Sequence, residues 1–411
     1  MIDLQHCKAL DSKDPLRGLR ERFAAGEAGT VYLDGNSIGA MPADAPARVQ
    51  KVMLEGWRDA RRRGWNRFDW LEKPWLMGEG IAHILGVGKH DVVFCDNTSV
   101  NLYKILGYAW QLERRRPVIV SETWNFPTDM YVAEGLVRFA GGDAAVRRID
   151  TPEELDAALK PEVGVLYLSH VDYRSSRRWD MAAVNRKAAA LGILTLWDCS
   201  HSAGAVAVDL AGTGSDFAVG CGYKYLCGGP GSPAWLYVSP RHQDKAWPVI
   251  AGWMGHEDLF AFAPRYAPIA GVRRHLTGTP GILANEAMAA AVGIWKDVKV
   301  ADLDWKHRSL SETLIRLLEE QCGEFGLKVT CPRRYEERGG AVIFSHPGAG
   351  SVTEALLESG VVSSFRRPDS IRFGLQPLAL SHEDLWTAVA RLREVLRTEL
   401  WRDPRFAKVS V

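Results

Sequence analysis

In the stretch "DFAVGCGYKYLCGGPGSPAWLYV", residues 216–238, Lys224 stands between Tyr223 and Tyr225, after an apolar strand and before the turn Gly228-Gly229-Pro230-Gly231. Taken singly, a lysine beside a glycine-rich turn is most often a solvated surface charge. Other chemistry-bearing residues occupy similar places. Asp198, Ser200 and His201 follow the apolar run "ILTLW", and Asp96, Asn97, Thr98 and Ser99 follow "VVFC" and open a helical pattern. At that helix start, hydroxyls and free backbone N–H groups face one point, a seat for an anion such as a phosphate. The competing reading makes Thr98 or Ser99 only an N-cap. A phosphate seat, an aspartate and a lysine at strand ends of one sheet together meet the needs of pyridoxal phosphate chemistry. The lysine forms a Schiff base with the aldehyde, and the aspartate keeps the pyridine nitrogen protonated so that the ring withdraws electrons. Phe126 and Asp129, in "NFPTD", add a ring-stacking aromatic and a further polar contact. In this reading Lys224 is the nucleophile, Tyr223 an acid or phosphate ligand, and the glycines permit close backbone approach.

The elements that must position these groups follow from periodicity. Residues 11–27 read as a helix with Asp11 or Ser12 as N-cap, and "VYLDGNSIGAMP" as a short strand and turn. A long helical segment then runs to Arg63, with Asp44 as N-cap and Pro46 in its first turn. After a tryptophan-rich loop, "GWNRFDWLEKPW", residues 77–85 are again helical. From there strands and helices alternate: "DVVFCD", "RPVIVSE", "AAVRRID", "VGVLYLSHV", "ILTLWDCS" and "DFAVGCG" are strands. "SVNLYKILGYAWQL", "FPTDMYVAEGLVRFAG", "PEELDAALK" and "MAAVNRKAAALG" are the helices between them. Short, wholly apolar strands alternating with amphipathic helices specify an α/β fold with a mainly parallel sheet between helices. Ligands of such sheets bind beyond the carboxyl ends of the strands, where the residues above stand. The expected division is a large α/β unit over 28–297 and a smaller α+β unit made of 1–27 and 298–411.

Composition narrows the function classes. The 411 residues hold 51 Lys and Arg against 50 Asp and Glu, so no global field attracts nucleic acid or an anionic membrane. Seven cysteines without CxxC pairs argue against a disulfide framework and a structural zinc site. His83, His170, His256 and His346 lack metal-ligand spacing and read as structural. The charged N-terminal stretch and the absence of an 18-residue apolar run place the protein in a reducing cytosol.

In order and at comparable spacing, "YLDGNSIG", "NTSVNLYK", "FPTD", "WDCSHSAGA", "DFAVGCGYKYLCGGPG", "GWMGHE" and "IRFG" resemble the blocks of kynureninase, a pyridoxal phosphate enzyme of fold type I. The resemblance extends from about Leu33 to the C-terminal helix. It implies phosphate contacts from Thr98, Ser99 and Tyr223, with Phe126, Asp129 and Ser169 at the ring. It pairs Asp198 with the pyridine nitrogen, sets His201 beside the cofactor or substrate, and makes Lys224 the imine lysine. Trp253 and Thr279 reach in from a neighbouring subunit, so the implied active unit is a homodimer. Arg372 binds the substrate α-carboxylate as a fork, with Asn36, Gly278 and Trp65, or another tryptophan of "GWNRFDW", also on the substrate. The implied reaction hydrolyses L-kynurenine, or its 3-hydroxy form, to anthranilate or its 3-hydroxy form and L-alanine, in tryptophan catabolism. Freed Lys224 removes the Cα proton, and Tyr223 is the candidate acid. The segment "LTGT", residues 276–279, resembles the kynurenine-preferring pattern.

The chain departs from that pattern at five places. Cys227 stands where asparagine is usual and Ser175-Ser176 where Thr-Gly is common; Gln376 and Ala379 replace Thr and Tyr, and Ser364 stands where aspartate is frequent. None removes a catalytic group, but they leave the aryl specificity open to a substituted kynurenine. The alternatives are a related fold type I lyase of the desulfurase or epimerase kind, or a non-catalytic sensor of pyridoxal phosphate.

Overall fold

The computed structural model describes residues 2–407, so residues 1 and 408–411 of the expected smaller unit lie outside it. Its strands, in chain order, are β1 (Val31–Tyr32), β2 (Val92–Cys95), β3 (Val118–Glu122), β4 (Ala145–Ile149), β5 (Val163–Ser169), β6 (Leu194–Asp198), β7 (Phe217–Gly220) and β8 (Ala234–Val238). Beyond them follow β9 (Lys328–Val329), β10 (Ala341–Ser345), β11 (Val361–Val362), β12 (Ser364–Arg366) and β13 (Ser370–Gly374). Seven form one sheet in the order β2-β8-β7-β6-β5-β3-β4, in which β8 alone runs against its neighbours. The expected mainly parallel sheet between helices is therefore present, with seven strands.

Both faces of that sheet are covered over its inner strands, which is why these are largely apolar: every residue of β5, β6, β7 and β8 is buried, whereas the edge strand β4 carries Arg147 and Arg148. Alternate side chains enter different cores, as the two-residue period of a strand requires. Val165, Tyr167, Phe217 and Val219 pack on one face with Leu102, Ile105 and Leu136 of the helices Thr98–Leu112 and Pro127–Ala140. Leu166, Leu168 and Ala218 pack on the other with Met181, Ala291 and Trp295. A separate core lies around the small sheet β12-β13-β10-β9 and the helices Val300–Cys322 and His382–Arg397. The N-terminal residues divide between cores: Ile2, Cys7, Val31 and Leu33 join the small sheet, Leu16 and Phe23 the large one.

Three local expectations change. No helix spans 11–27; instead a helix Leu4–Ser12 starts at Asp3, whose carboxylate accepts from His6 N at 2.8 Å, and a 3-10 turn follows at Arg17–Arg22. Pro15 is the cause, because proline lacks an N–H and pushes the residue before it out of helical conformation. Asp11 is not an N-cap of its own helix but accepts from His382 N and Glu383 N at 2.8 and 3.0 Å, at the start of His382–Arg397. The segment ending at Arg63 passes through α (Ala45–Lys51), π (Val52–Ala60) and 3-10 (Arg61–Arg63) hydrogen bonding, and the Asp44 side chain does not cap it because Asp44 already has helical dihedrals. "PEELDAALK" forms only a 3-10 turn, Pro152–Glu154, and one helical turn, Leu155–Ala158, ending just before Pro161.

Candidate active site

Lys224 lies four residues beyond the end of β7 and is buried. Its Nζ is 2.9 Å from His201 Nε2 and 5.6 and 5.7 Å from the ring centres of Phe126 and Tyr223. Burial first, and the Lys224 charge second, hold the His201 imidazole well below its usual proton affinity, so His201 is neutral and its Nε2 accepts from Lys224. The backbone around the lysine is fixed from outside. Gly39 N donates to Tyr223 O at 2.9 Å, and a Cβ at Gly39 would strike the Lys224 carbonyl oxygen, so only glycine lets the 34–40 segment lie this close. Burial also pushes the Tyr223 hydroxyl above its usual range and keeps it protonated.

The acids stand at neighbouring strand ends. Ser169 and Asp198 are opposite each other in the β5/β6 register. Asp198 Oδ1 accepts from Ser200 N at 2.7 Å, and Ser169 Oγ donates to Asn125 Oδ1 at 2.6 Å. Asp129, in the first turn of Pro127–Ala140, is pushed well above the usual carboxylate range, by burial first and by the charge of nearby Asp198 second. The Asp129 carboxyl therefore favours its protonated form. Asp129 Oδ2 is buried without a hydrogen-bond partner. A buried anion beside an unsatisfied carboxyl oxygen fits a protonated ring nitrogen, so the donor set suits pyridoxal phosphate.

The anion seat forms where β2 turns into Thr98–Leu112. Asn97, rather than Thr98 or Ser99, is the N-cap, its side chain accepting from Val100 N at 3.0 Å, which leaves both hydroxyls half-buried in the first turn. The first N–H groups of a helix have no intrahelical partner and suit a phosphate. Beneath them buried Lys104 reaches Asp96 Oδ2 at 2.7 Å and His275 O at 2.8 Å, tying the seat to the segment before Gly278.

Arg372 is buried on β13. Its Nη1 donates to Tyr173 O at 2.8 Å and its Nε to Ser364 Oγ at 3.1 Å, with the Asp34 carboxylate 4.0 Å away. Asn36, expected on the substrate, accepts from Arg372 Nε and Nη2 at 2.7 and 2.6 Å in the amide orientation those donors require. Burial first and Arg366 second lower the guanidinium to about 10, still cationic at neutral pH. Asn36, Tyr173, His201, Tyr225 and Arg372 line one narrow cavity.

The structure thus gathers Phe126, Asp129, Ser169, Asp198, His201, Tyr223, Lys224, Asn36 and Arg372. It places Trp65 and Trp253 elsewhere, edge to face at 6.0 Å, with Trp65 on an open groove of about 720 Å³ beside Trp57 and Arg58. Gly278 and Thr279 are exposed. Among the described residues no hydrogen bond or ring contact joins these four to Lys224. Asn125 and Tyr173 escaped the sequence reading. Tyr173 is edge-on to Phe126 at 5.3 Å and 6.4 Å from His201; its only signal was its place four residues after Ser169. Of the histidines read as structural, His83 meets Val298 O, and the Nδ1 atoms of His256 and His346 accept from nearby backbone; His170 is buried against Trp197.

A family model described as the kynureninase C-terminal domain matches residues 303–392. A kynureninase of Deinococcus radiodurans is 46% identical over 400 residues, 96% of this chain and 97% of the relative. A kynureninase of Pseudomonas fluorescens is 40% identical over 410 residues, 99% of this chain and 98% of the relative. Among solved structures, the apo cysteine desulfurase of Thermococcus onnurineus covers 90% of this chain at TM-score 0.73 and 18% identity, with 95% of its own chain covered. A mutant of C-DES with glycine covalently linked to its pyridoxal phosphate cofactor covers 91% of this chain and 99% of its own at TM-score 0.75 and 16% identity. These last two carry the fold alone.

Proposed function

The chain belongs to the kynureninase family, whose members hydrolyse L-kynurenine to anthranilate and L-alanine with pyridoxal phosphate, and on that premise we propose how its residues divide the work. When bound, the cofactor supplies an aldehyde that captures amines and a ring that withdraws electrons from Cα. Lys224 would supply the amine that holds it and, once free, would move the Cα proton. His201 orients Nζ. Asp198 holds the proton of the ring nitrogen, with the neutral Asp129 carboxyl beside it. Thr98, Ser99 and Tyr223 would hold the phosphate, and Phe126 and Ser169 would contact the ring. Arg372 grips the α-carboxylate as a fork aligned by Asn36, Ser364 and the Tyr173 carbonyl. Water adds to the γ-carbonyl, the Cβ–Cγ bond breaks, and Tyr223 delivers the proton that completes alanine.

One observation carries the assignment. His201 touches Lys224 and lines the same narrow cavity as Arg372, so one imidazole borders both the group proposed for amine capture and the group proposed for the carboxylate grip. In the same proposal Trp253 and Thr279 serve the cofactor of a partner subunit in a homodimer, and Trp65 and Gly278 the aryl end; the exposure of Trp253, Gly278 and Thr279 supports this. The division at 28–297 belongs to it too, supported by the separate core around the small sheet, although Leu16 and Phe23 pack on the large unit and Val31 and Leu33 on the small one. Unsubstituted kynurenine is the preferred substrate and the cytoplasm the place of action.

The test is to incubate the protein with pyridoxal phosphate and L-kynurenine, beside the 3-hydroxy analogue, and follow both products. Equimolar anthranilate and alanine, abolished in Lys224→Ala, is expected. No product from either substrate despite bound cofactor would overturn the assignment.

A further inference from the structure

Gln376 is buried where three segments meet, each carrying a residue of the site. Its own segment follows β13, which holds Arg372, and its carbonyl accepts from Ala379 N and Leu380 N, both at 3.1 Å. Its side-chain oxygen accepts from Ala40 N at 3.0 Å, in the segment that contains Asn36. Its side-chain nitrogen donates to Tyr225 O at 3.2 Å and to the Cys227 sulfur, both just beyond Lys224. A glutamine amide offers two N–H donors and an oxygen acceptor, and here all three groups are spent on joining two segments to a third.

The surroundings leave little slack. Gly374 N donates to Leu33 O at 2.7 Å, so the chain beyond β13 runs beside the segment that Gln376 then grips. Cys227 has φ +66°, a left-handed conformation that a residue with a side chain holds only where its neighbours impose it. Burial pushes its thiol up to about 12, so it meets the amide uncharged. From the far side, a Cβ at Gly35 would lie 3.1 Å from Gln376 Cβ and Oε1. Cys227 and Gln376 are two of the places where the chain departs from the kynureninase pattern, and in the fold these departures are one contact.

We propose that Gln376, through its contact with Cys227, is the positioning residue that sets Lys224 relative to the Arg372 clamp. The proposal rests on the roles assigned to those two residues above. Lys224 sits between β7 and β8 on a segment without regular hydrogen bonding of its own, so an outside contact must hold it. The substrate is gripped at its carboxylate while its Cα proton has to meet Nζ, and a misplacement of about 1 Å costs on the order of 100-fold in rate.

The experiment uses holoenzyme of Gln376→Leu, Cys227→Ala, Cys227→Ser and the Gln376→Leu/Cys227→Ala double variant. It measures kcat and KM for L-kynurenine, the pH midpoint of the bound cofactor's visible absorbance, and the thermal midpoint. Gln376→Leu and Cys227→Ala are expected to lower kcat about tenfold or more and to move the absorbance midpoint, as misplacement predicts. The double variant falls no further than the worse single one, and Cys227→Ser, whose hydroxyl keeps a partner for the amide, stays near the parent. A Gln376→Leu protein with unchanged kcat and absorbance midpoint, or additive losses in the double variant, would overturn the proposal. If Gln376→Leu does not fold, equal kcat in Cys227→Ala and Cys227→Ser overturns it instead. Retained activity in Lys224→Ala would sink the underlying assignment, a separate result.

Discussion

Lys224 Nζ and His201 Nε2 lie 2.9 Å apart, and the imidazole is held neutral by burial and by the lysine's charge. A neutral imidazole can accept from Nζ but takes no part in titration near its usual range. His201→Gln is therefore expected to lower kcat about tenfold, the value of one buried hydrogen bond, while the acid limb of the pH–rate profile keeps its midpoint. A clear shift of that midpoint in the variant would show that His201 does titrate in the working enzyme.

Arg372 spends its guanidinium on Asn36, Ser364 and the Tyr173 carbonyl, which present it as a flat fork. Lysine keeps the charge and loses the fork. Arg372→Lys should raise KM for L-kynurenine by roughly 10- to 100-fold, the range of a charge-assisted hydrogen bond, with a smaller change in kcat. Asn36→Ala, which frees the fork to turn, should move KM in the same direction by less. Steady-state kinetics on both variants checks this, and an unchanged KM in Arg372→Lys contradicts the clamp.

Asp129 and Asp198 share a buried site in which Asp129 holds the proton. An asparagine imitates a protonated carboxyl but not a carboxylate. Asp129→Asn should stay within about threefold of the parent, whereas Asp198→Asn should lose on the order of 100-fold, the cost of removing one aimed charge from a dry site. Equal losses would mean that the two carboxyls divide the negative charge between them.

His170, His275 and His307 are buried, and burial lowers each to about 3. The unfolded chain binds these protons from about pH 6.5 downwards, while the native state refuses them until about pH 3, so stability is full above that window and falls as pH drops through it. Each histidine contributes a slope approaching about 1.4 kcal/mol per pH unit. Asp129, with its raised affinity, works in the opposite sense. Neither ring nitrogen of His275 has a hydrogen-bond partner, and the ring stands edge to face with Tyr108 at 4.9 Å. His275→Phe should thus be near neutral at pH 7.5 and less acid-sensitive than the parent. Urea midpoints at pH 7.5 and 5.5 decide; an unchanged pH slope in the variant would count against it.

Much of the sheet and of the cofactor side of the site could be read in the sequence, because both are local. A strand buried on two faces has to be apolar from end to end, and the polar residues that break such runs at Thr98, Ser169, Asp198 and Lys224 mark its carboxyl ends. Where one nearby residue overrides a pattern the reading failed, as with Pro15 in the helix expected over 11–27. What the tertiary structure alone decided are the pairings between distant segments. Asn36 found Arg372, Ser169 found Asn125 from 44 positions away, and Gln376 found Cys227 from 149. The raised proton affinity of Asp129 was equally beyond the sequence. Hydrogen bonds and proton affinities depend on distance and burial in space, whereas strand and helix patterns depend on spacing along the chain, and only the second of these is written in the order of residues.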